Sequence, residues 1–191
     1  MIVVFGGAFN PPTIAHKEMA RQIIETLRCS KFLFLPVGDL YKKPGLAASF
    51  HRVQMLDLVC QELPRAEVSD LEAKQKTVLR TFETLELLQE LYPEEEIAFV
   101  MGADNLMDLP NWYNYEQLLQ KFRHIVFKRE DLDIAQIINL RFFDYRDRFI
   151  LLEAKAAMNV SSTLYRESQG NESLVPLSVS RYIKRHHLYG R

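Results

Sequence analysis

Near the amino terminus the run Gly6-Gly7-Ala8-Phe9-Asn10-Pro11-Pro12-Thr13-Ile14-Ala15-His16 brings together residue types suited to holding a phosphate. Gly6 and Gly7 permit a tight turn and let the backbone approach a ligand without a Cβ in the way. Thr13 is a good N-cap, and the first turn of the helix it opens leaves amide groups without intrahelical partners. Those amides and the helix dipole attract an anion, so a phosphate is the natural occupant. His16 follows Thr13 at i+3, on the same side of that turn. Its imidazole can donate a hydrogen bond there. The same residues also read as an ordinary tight turn before a capped helix, and spacing alone leaves both readings open. Neither a Gly-Lys-Ser/Thr nor a Gly-x-Gly-x-x-Gly pattern is present.

Four other places carry candidate groups. Lys42 and Lys43 lie in a loop bounded by Gly38 and Gly45, where two cations can meet phosphates or form a solvated basic turn. Gly102 and Asp104 follow the apolar run Glu96 to Met101, and Asp104 can serve as a helix cap or accept from two hydroxyls. Trp112, the only tryptophan, sits between Pro110-Asn111 and Tyr113, a polar setting that suits stacking on a flat ring. Ser161-Ser162-Thr163 opens a further helix with Arg166 one turn on, and hydroxyls, amides and a guanidinium together form a second candidate anion site.

The elements that position these groups follow from periodicity. Ile2 to Phe5 is a β-branched and aromatic run of the kind a buried strand shows. Ala20, Ile23, Ile24 and Leu27 share one face of a helix predicted over Ile14 to Arg28. Further strands are predicted at Lys31 to Val37, Ala66 to Ser69, Glu96 to Met101, His124 to Phe127 and Phe149 to Leu152. Helices are predicted from Ser49 as cap, over Thr77 to Leu91, Tyr115 to Gln120, Ser162 to Gln169 and Pro176 to His186. Leu132 to Arg146 fits no single pattern. Strands alternate with helices, and the strands are continuous apolar runs, as in a parallel sheet covered on both faces. The expectation is one α/β domain with a doubly wound, Rossmann-like parallel sheet, helices on both faces and a small helical carboxyl-terminal part. Such folds bind ligands beyond the carboxyl ends of the strands.

Composition narrows the classes. The 191 residues are 48% hydrophobic and 26% charged, enough apolar material for a continuous core. Lys plus Arg number 24 against 25 Asp plus Glu, so no broad basic field calls for nucleic acid or an anionic membrane. No apolar run approaches the ~18 residues of a membrane span, and the amino terminus lacks a signal pattern, which sets the expectation of a cytoplasmic protein. Cys29 and Cys60 have no zinc-spaced partners and read as two buried thiols in helical stretches. The Lys184-Arg185-His186-His187 run reads as the solvated face of the last helix, and Glu94 to Glu96 as a solvated turn.

Gly6 to His16 resembles the signature Gly-x-Phe-x-Pro-x-[His/Thr]-x-x-His of the nucleotidyltransferases of the α/β phosphodiesterase superfamily. In particular it resembles the nicotinamide/nicotinate mononucleotide adenylyltransferases. Similar segments follow in the family's order: Pro36 to Leu46 with His51 to Met55, Met101 to Leu106 with Asn111-Trp112, Val160 to Arg166, and Val175 to Tyr189. The resemblance implies a single nucleotidyltransferase domain over residues 1–191, with helices from about residue 161 completing the ATP site. It implies attack of a mononucleotide phosphate on the α-phosphorus of ATP, with no covalent intermediate, and Mg²⁺ held mainly by the ATP phosphates rather than by protein ligands. Catalytic work falls to Thr13, His16 and Lys43. ATP falls to Gly7, Ala8, Phe9, His16, Gly102, Asp104, Ser161, Ser162, Thr163 and Arg166. The pyridine mononucleotide falls to Asn10, Lys42, Lys43, Arg52 and Trp112. Where some relatives carry a second stacking aromatic, this chain has Leu71. The competing readings are another transferase of the superfamily, of phosphopantetheine or cytidylyl type, and a non-catalytic nucleotide sensor. A homo-oligomer is compatible with either.

Overall fold

Ile2, Val3, Val4 and Phe5 are all buried, and a strand buried on both faces has no reason to alternate polar and apolar residues. In the computed structural model, which describes residues 1–128, 132–154 and 160–191, they form most of strand β1 (Ile2–Gly7). The chain continues through α1 (Ile14–Leu27), β2 (Lys31–Pro36), α2 (Ser49–Cys60), β3 (Ala66–Val68), α3 (Thr81–Leu91) and β4 (Ile97–Met101). It goes on through α4 (Ala103–Asp108), α5 (Tyr115–Lys121), β5 (Arg123–Lys128), α6 (Ile134–Arg141) and β6 (Phe149–Glu153), and closes with α7 (Ser162–Glu167) and α8 (Leu177–Arg185). The strand order is β3-β2-β1-β4-β5-β6, a Rossmann-like α/β sheet whose paired strands run parallel. No described helix is long and apolar enough to cross a membrane.

The chain falls into two compact units. The first comprises Met1–Gly6 and Leu79–Ala154. In it β1 pairs with β4 in the register Ile2↔Ile97 to Phe5↔Val100. β5 and β6 extend this parallel array through Ala98↔Arg123 and His124↔Phe149. Gly6 packs closely here: a Cβ would stand 3.1 Å from the Phe99 ring, so the ring would have to shift to admit one. The Met1 amino group pairs with Glu95 at 2.6 Å, and Arg123 pairs with Glu96 at 2.6 Å.

The second unit comprises Gly7–Val78 and Lys155–Arg191, with β2 and β3 paired in parallel. Helix α1 turns Ala15, Ala20, Ile23 and Ile24 inward and stops at Arg28, whose left-handed backbone (φ 48) donates its N–H to Ile24. α8 buries Val179 and Ile183 and packs on α2, leaving Arg181, Lys184 and Arg185 exposed. Lys184 pairs with Glu172 at 2.5 Å.

Three local expectations need correction. α3 begins at Thr81 rather than Thr77, because Arg80 is extended and the Glu83 carboxylate accepts the Arg80 N–H at 2.7 Å, setting the helix start there. Ser49 does not cap α2. It is the first helical residue, and the Asp39 carboxylate accepts its N–H at 2.5 Å and its hydroxyl at 2.8 Å. Cys29 is buried but lies beyond the end of α1, and Cys60, the last residue of α2, is only half-buried. Burial still holds the Cys60 thiol in its neutral form, raising its pKa to about 12.

Asp39 thus caps α2 from a loop and also faces the buried guanidinium of Arg52 at 3.5 Å. Replacing Asp39 by Ala is expected to lower the free energy of unfolding by about 1–3 kcal/mol in urea titrations, through the lost cap and lost charge partner. Asp39→Asn, which keeps an acceptor for Ser49, should lose less. Equal stability of Asp39→Ala and parent would refute the capping role.

Candidate active site

Gly7 ends β1, and the residues from Ala8 to Thr13 carry the chain to α1. Phe9 has a positive φ of 45° and turns its ring into the core, edge-on to Phe34 at 5.6 Å. A Cβ at Gly7 would stand 3.2 Å from that ring, so glycine there serves the packing of Phe9 as well as the turn. Thr13 is extended, and its Oγ1 caps α1 by accepting the His16 N–H. The Thr13 N–H donates in return to His16 Nδ1 at 3.0 Å, and the Thr13 hydroxyl lies 2.8 Å from the same nitrogen. Nδ1 is therefore an acceptor. The proton of the neutral ring sits on Nε2, the nitrogen able to donate to a phosphate oxygen. Phe9 supports the imidazole edge-on at 5.0 Å. Burial lowers the His16 pKa from 6.5 to about 4, so the ring is neutral at physiological pH.

Asn10, expected to touch a mononucleotide, does something else. It is 1% exposed, and its amide is occupied by the protein itself. Nδ2 donates to the Gly45 carbonyl at 2.8 Å, while Oδ1 accepts from the Ala47 N–H at 3.0 Å and the Tyr189 hydroxyl at 2.8 Å. These bonds tie the far end of the Lys42-Lys43 loop to the first motif. Arg52 is likewise a frame and not an exposed phosphate ligand: it is 0% exposed. Its Nε donates to Ala47 at 2.8 Å and one terminal nitrogen to Ala8 at 3.2 Å, while the other nitrogen has no hydrogen-bond acceptor and only Asp39 nearby. Burial pushes the Arg52 pKa down and Asp39 opposes that shift. Between these anchors Lys42 and Lys43 are exposed, and neither ammonium has a protein partner among the described residues.

The Ser161 to Arg166 segment meets the same loop. Ser161 Oγ caps α7 by accepting from Leu164 N–H at 3.0 Å. The Ser162 hydroxyl donates to the Pro11 carbonyl at 2.8 Å. Arg166 donates to the Asn10 carbonyl at 2.6 Å and to Thr163 Oγ1 at 3.1 Å. The two helix starts read separately from the sequence are thus joined through the carbonyls of Asn10 and Pro11. Arg166 keeps three further N–H donors beyond those two bonds.

In the first unit, Gly102 is the N-cap of α4, and Asp104 is the second residue of that helix rather than its cap. Both are exposed. Trp112 lies just beyond a 3₁₀ turn, half-buried, with its ring edge-on to Phe99 at 6.3 Å. Asp108 orients it, accepting from Trp112 Nε1 at 3.3 Å and from Asn111 Nδ2 at 2.8 Å. Asp108, Asp39 and Tyr189 were not singled out from sequence. The first carries a readable signal, since Asp-x-x-Asn-Trp places all three side chains on one face of a helical turn. The other two act across long separations and leave no local pattern.

A parallel α/β sheet with a Thr-x-x-His helix start and an Arg166 guanidinium that keeps free N–H donors suits a phosphate-handling transferase. The cytidylyltransferase-like family profile matches residues 4–168, and the chain belongs to that family. Within it the chain stands among the nicotinate-nucleotide adenylyltransferases. It is 33% identical to a protein named a probable nicotinate-nucleotide adenylyltransferase from Carboxydothermus hydrogenoformans, over 98% of this chain and 97% of that one. It is 30% identical to the nicotinate-nucleotide adenylyltransferase of Bacillus subtilis, over the same shares. The fold is shared with the Plasmodium falciparum nicotinic acid mononucleotide adenylyltransferase complexed with NaAD. That match has a TM-score of 0.81 at 20% identity and covers 98% of this chain and 96% of the other.

Two measurements check the local geometry. In NMR titrations His16 should protonate near pH 4, the value lowered by burial. The unfolded chain takes up that proton first, near pH 6.5. The contribution of His16 to stability should therefore be full above pH 6.5 and fall as pH drops toward 4. A His16 midpoint at 6.5 in the folded protein would contradict the buried, Thr13-bound ring. Asp108→Ala should raise acrylamide quenching of Trp112 fluorescence, which no other tryptophan obscures, while changing stability by no more than about 1 kcal/mol. Unchanged quenching would remove Asp108 as the residue that orients Trp112.

Proposed function

We propose that the chain transfers the adenylyl group of ATP to nicotinate mononucleotide, giving deamido-NAD and pyrophosphate. An oxygen of the mononucleotide phosphate attacks the α-phosphorus in line, and the bond from that phosphorus to the bridging oxygen breaks, the electron pair leaving with pyrophosphate. Little covalent chemistry falls to the protein in such a transfer. Alignment and stabilisation of developing charge carry the rate.

The observation that carries this reading is the Thr13–His16 pair. Its hydrogen bonds hold the ring with Nδ1 as acceptor, which puts the proton of the neutral ring on Nε2. An imidazole already oriented loses little on meeting the transition state. Phosphate near Nε2 would also raise the depressed pKa, so the ring gains charge as the anion arrives. Lys43, with Lys42, supplies mobile cations to the same phosphates, and Arg166 with the amides of Ser162 and Thr163 serves the β- and γ-phosphates. Backbone groups at Gly7 to Phe9 serve ATP as well; in the other unit the family resemblance assigns Gly102 and Asp104 to the adenosine ribose and Trp112 to the pyridine ring. The groups gathered at the α1 turn are donors, which suit phosphate oxygens and not a cation. No residue is assigned to hold Mg²⁺, which, bound through ATP, would offset the charge of the phosphates. The whole chain serves as one nucleotidyltransferase domain, acting in the cytoplasm without a nucleic-acid or membrane partner.

Incubation with ATP, Mg²⁺ and nicotinate mononucleotide should yield deamido-NAD and pyrophosphate in equal amounts. Nicotinamide mononucleotide, phosphopantetheine and a CTP-dependent acceptor provide parallel arms. No deamido-NAD from nicotinate mononucleotide would overturn the reading. His16→Ala should lower kcat by about 10²–10⁴ while ATP affinity changes by less than about tenfold. Unchanged turnover would leave a nucleotide-binding module in which His16 has no catalytic part.

A further inference from the structure

We infer that Tyr189 is a positioning residue of the transfer reaction, holding the Lys42-Lys43 loop in place through the buried amide of Asn10. This rests on the phosphate role given above to Lys43. The connection is complete in hydrogen bonds. The Tyr189 hydroxyl donates to Asn10 Oδ1 at 2.8 Å, the same oxygen accepts the Ala47 N–H at 3.0 Å, and Asn10 Nδ2 donates to Gly45 at 2.8 Å. Gly45 and Ala47 lie two and four residues beyond Lys43. A carboxamide has one donor side and one acceptor side, and a flipped Asn10 would point N–H groups at Ala47 N–H and oxygen at Gly45 oxygen. Two donors on Oδ1 select one orientation. Of those two, only the hydroxyl lies outside the loop being positioned.

Tyr189 is suited to this task. It follows α8 on a 3₁₀ turn with positive φ (56°), half-buried, and its ring meets Tyr165 edge-on at 6.1 Å. Burial raises its pKa above the ordinary tyrosine range, so the hydroxyl remains a donor at any physiological pH. Tyr165 lies on α7, whose Arg166 holds the Asn10 carbonyl. The carboxyl-terminal segment therefore grips both polar ends of Asn10, backbone and side chain. The opposite end of the loop is tied separately, by Asp39 to Ser49. Loss of the Tyr189 hydroxyl should therefore loosen the Gly45–Ala47 end selectively.

Tyr189→Phe removes one oxygen and leaves the ring. Hydrogen exchange at the Ala47 amide should rise at least tenfold, with β2 and α2 amides and the melting temperature unchanged. In the transfer assay kcat should fall about tenfold, with KM for ATP within threefold of the parent. In a Lys43→Ala background the same substitution should change kcat by less than twofold, because the residue through which it acts is gone. Equal losses in both backgrounds, or unchanged exchange at Ala47, would overturn the inference. The exchange measurement needs no turnover, so an inactive parent enzyme with loosened Ala47 would reject the proposed reaction and keep the Asn10–Tyr189 tie.

Discussion

A buried polar group must find its hydrogen bonds within the protein, and in this chain that constraint falls on Asn10. An unmet donor or acceptor at such a place costs roughly 1–3 kcal/mol. Asn10 avoids that cost by drawing three separate stretches of chain to itself: Gly45 and Ala47 from one loop, Arg166 from α7 and Tyr189 from the carboxyl-terminal turn. Each partner is also part of, or next to, a candidate substrate group. The need to satisfy one amide therefore gathers the cations and helix starts that a phosphate requires. Arg52 repeats the arrangement one layer down, its buried guanidinium joining Ala8 to Ala47.

This arrangement separates framing from contact. Around the first motif the buried polar side chains of Asn10, Thr13 and Arg52 bind protein, and Lys42 and Lys43 are left to solvent. His16 stands between the two sets, with one nitrogen committed to Thr13 and the other carrying the ring proton. Desolvation keeps the ring neutral, so the site does not hold a fixed extra charge before an anion arrives. A chain whose formal net charge is -1 can bind several phosphates on these terms, because the donors are local and oriented while the average field stays near zero.

The helix start in the first motif was legible: Thr13 caps α1, and His16 returns to it within one turn, an interaction confined to residues three apart. Strand and helix positions were legible for the same reason, since apolar periodicity reports a local property of the chain. The start of α3 is set by the local Arg80–Glu83 bond, which apolar periodicity does not report, and other differences fall where the deciding partner is distant. Ser49 looks like a cap until Asp39 supplies one from ten residues away. Asn10 and Arg52 look like ligand contacts because polar residues beside a phosphate motif usually face solvent, and only packing shows them enclosed. Tyr189 reaches an atom 179 positions earlier in sequence, beyond any pattern a motif can carry.

The sequence by itself determined the parallel α/β class, the Thr13–His16 turn, the pairing of two helix starts with a Lys loop and the kinship with adenylyl-transferring enzymes. The first three follow from residue type and short spacing, and the kinship from the resemblance of the motifs to a known family. Tertiary structure alone decided which nitrogen of His16 carries its proton, which polar residues frame the loops and which remain open to substrate. Those assignments depend on burial and on hydrogen bonds between residues far apart in the chain, and a buried donor takes whatever acceptor the fold brings within reach.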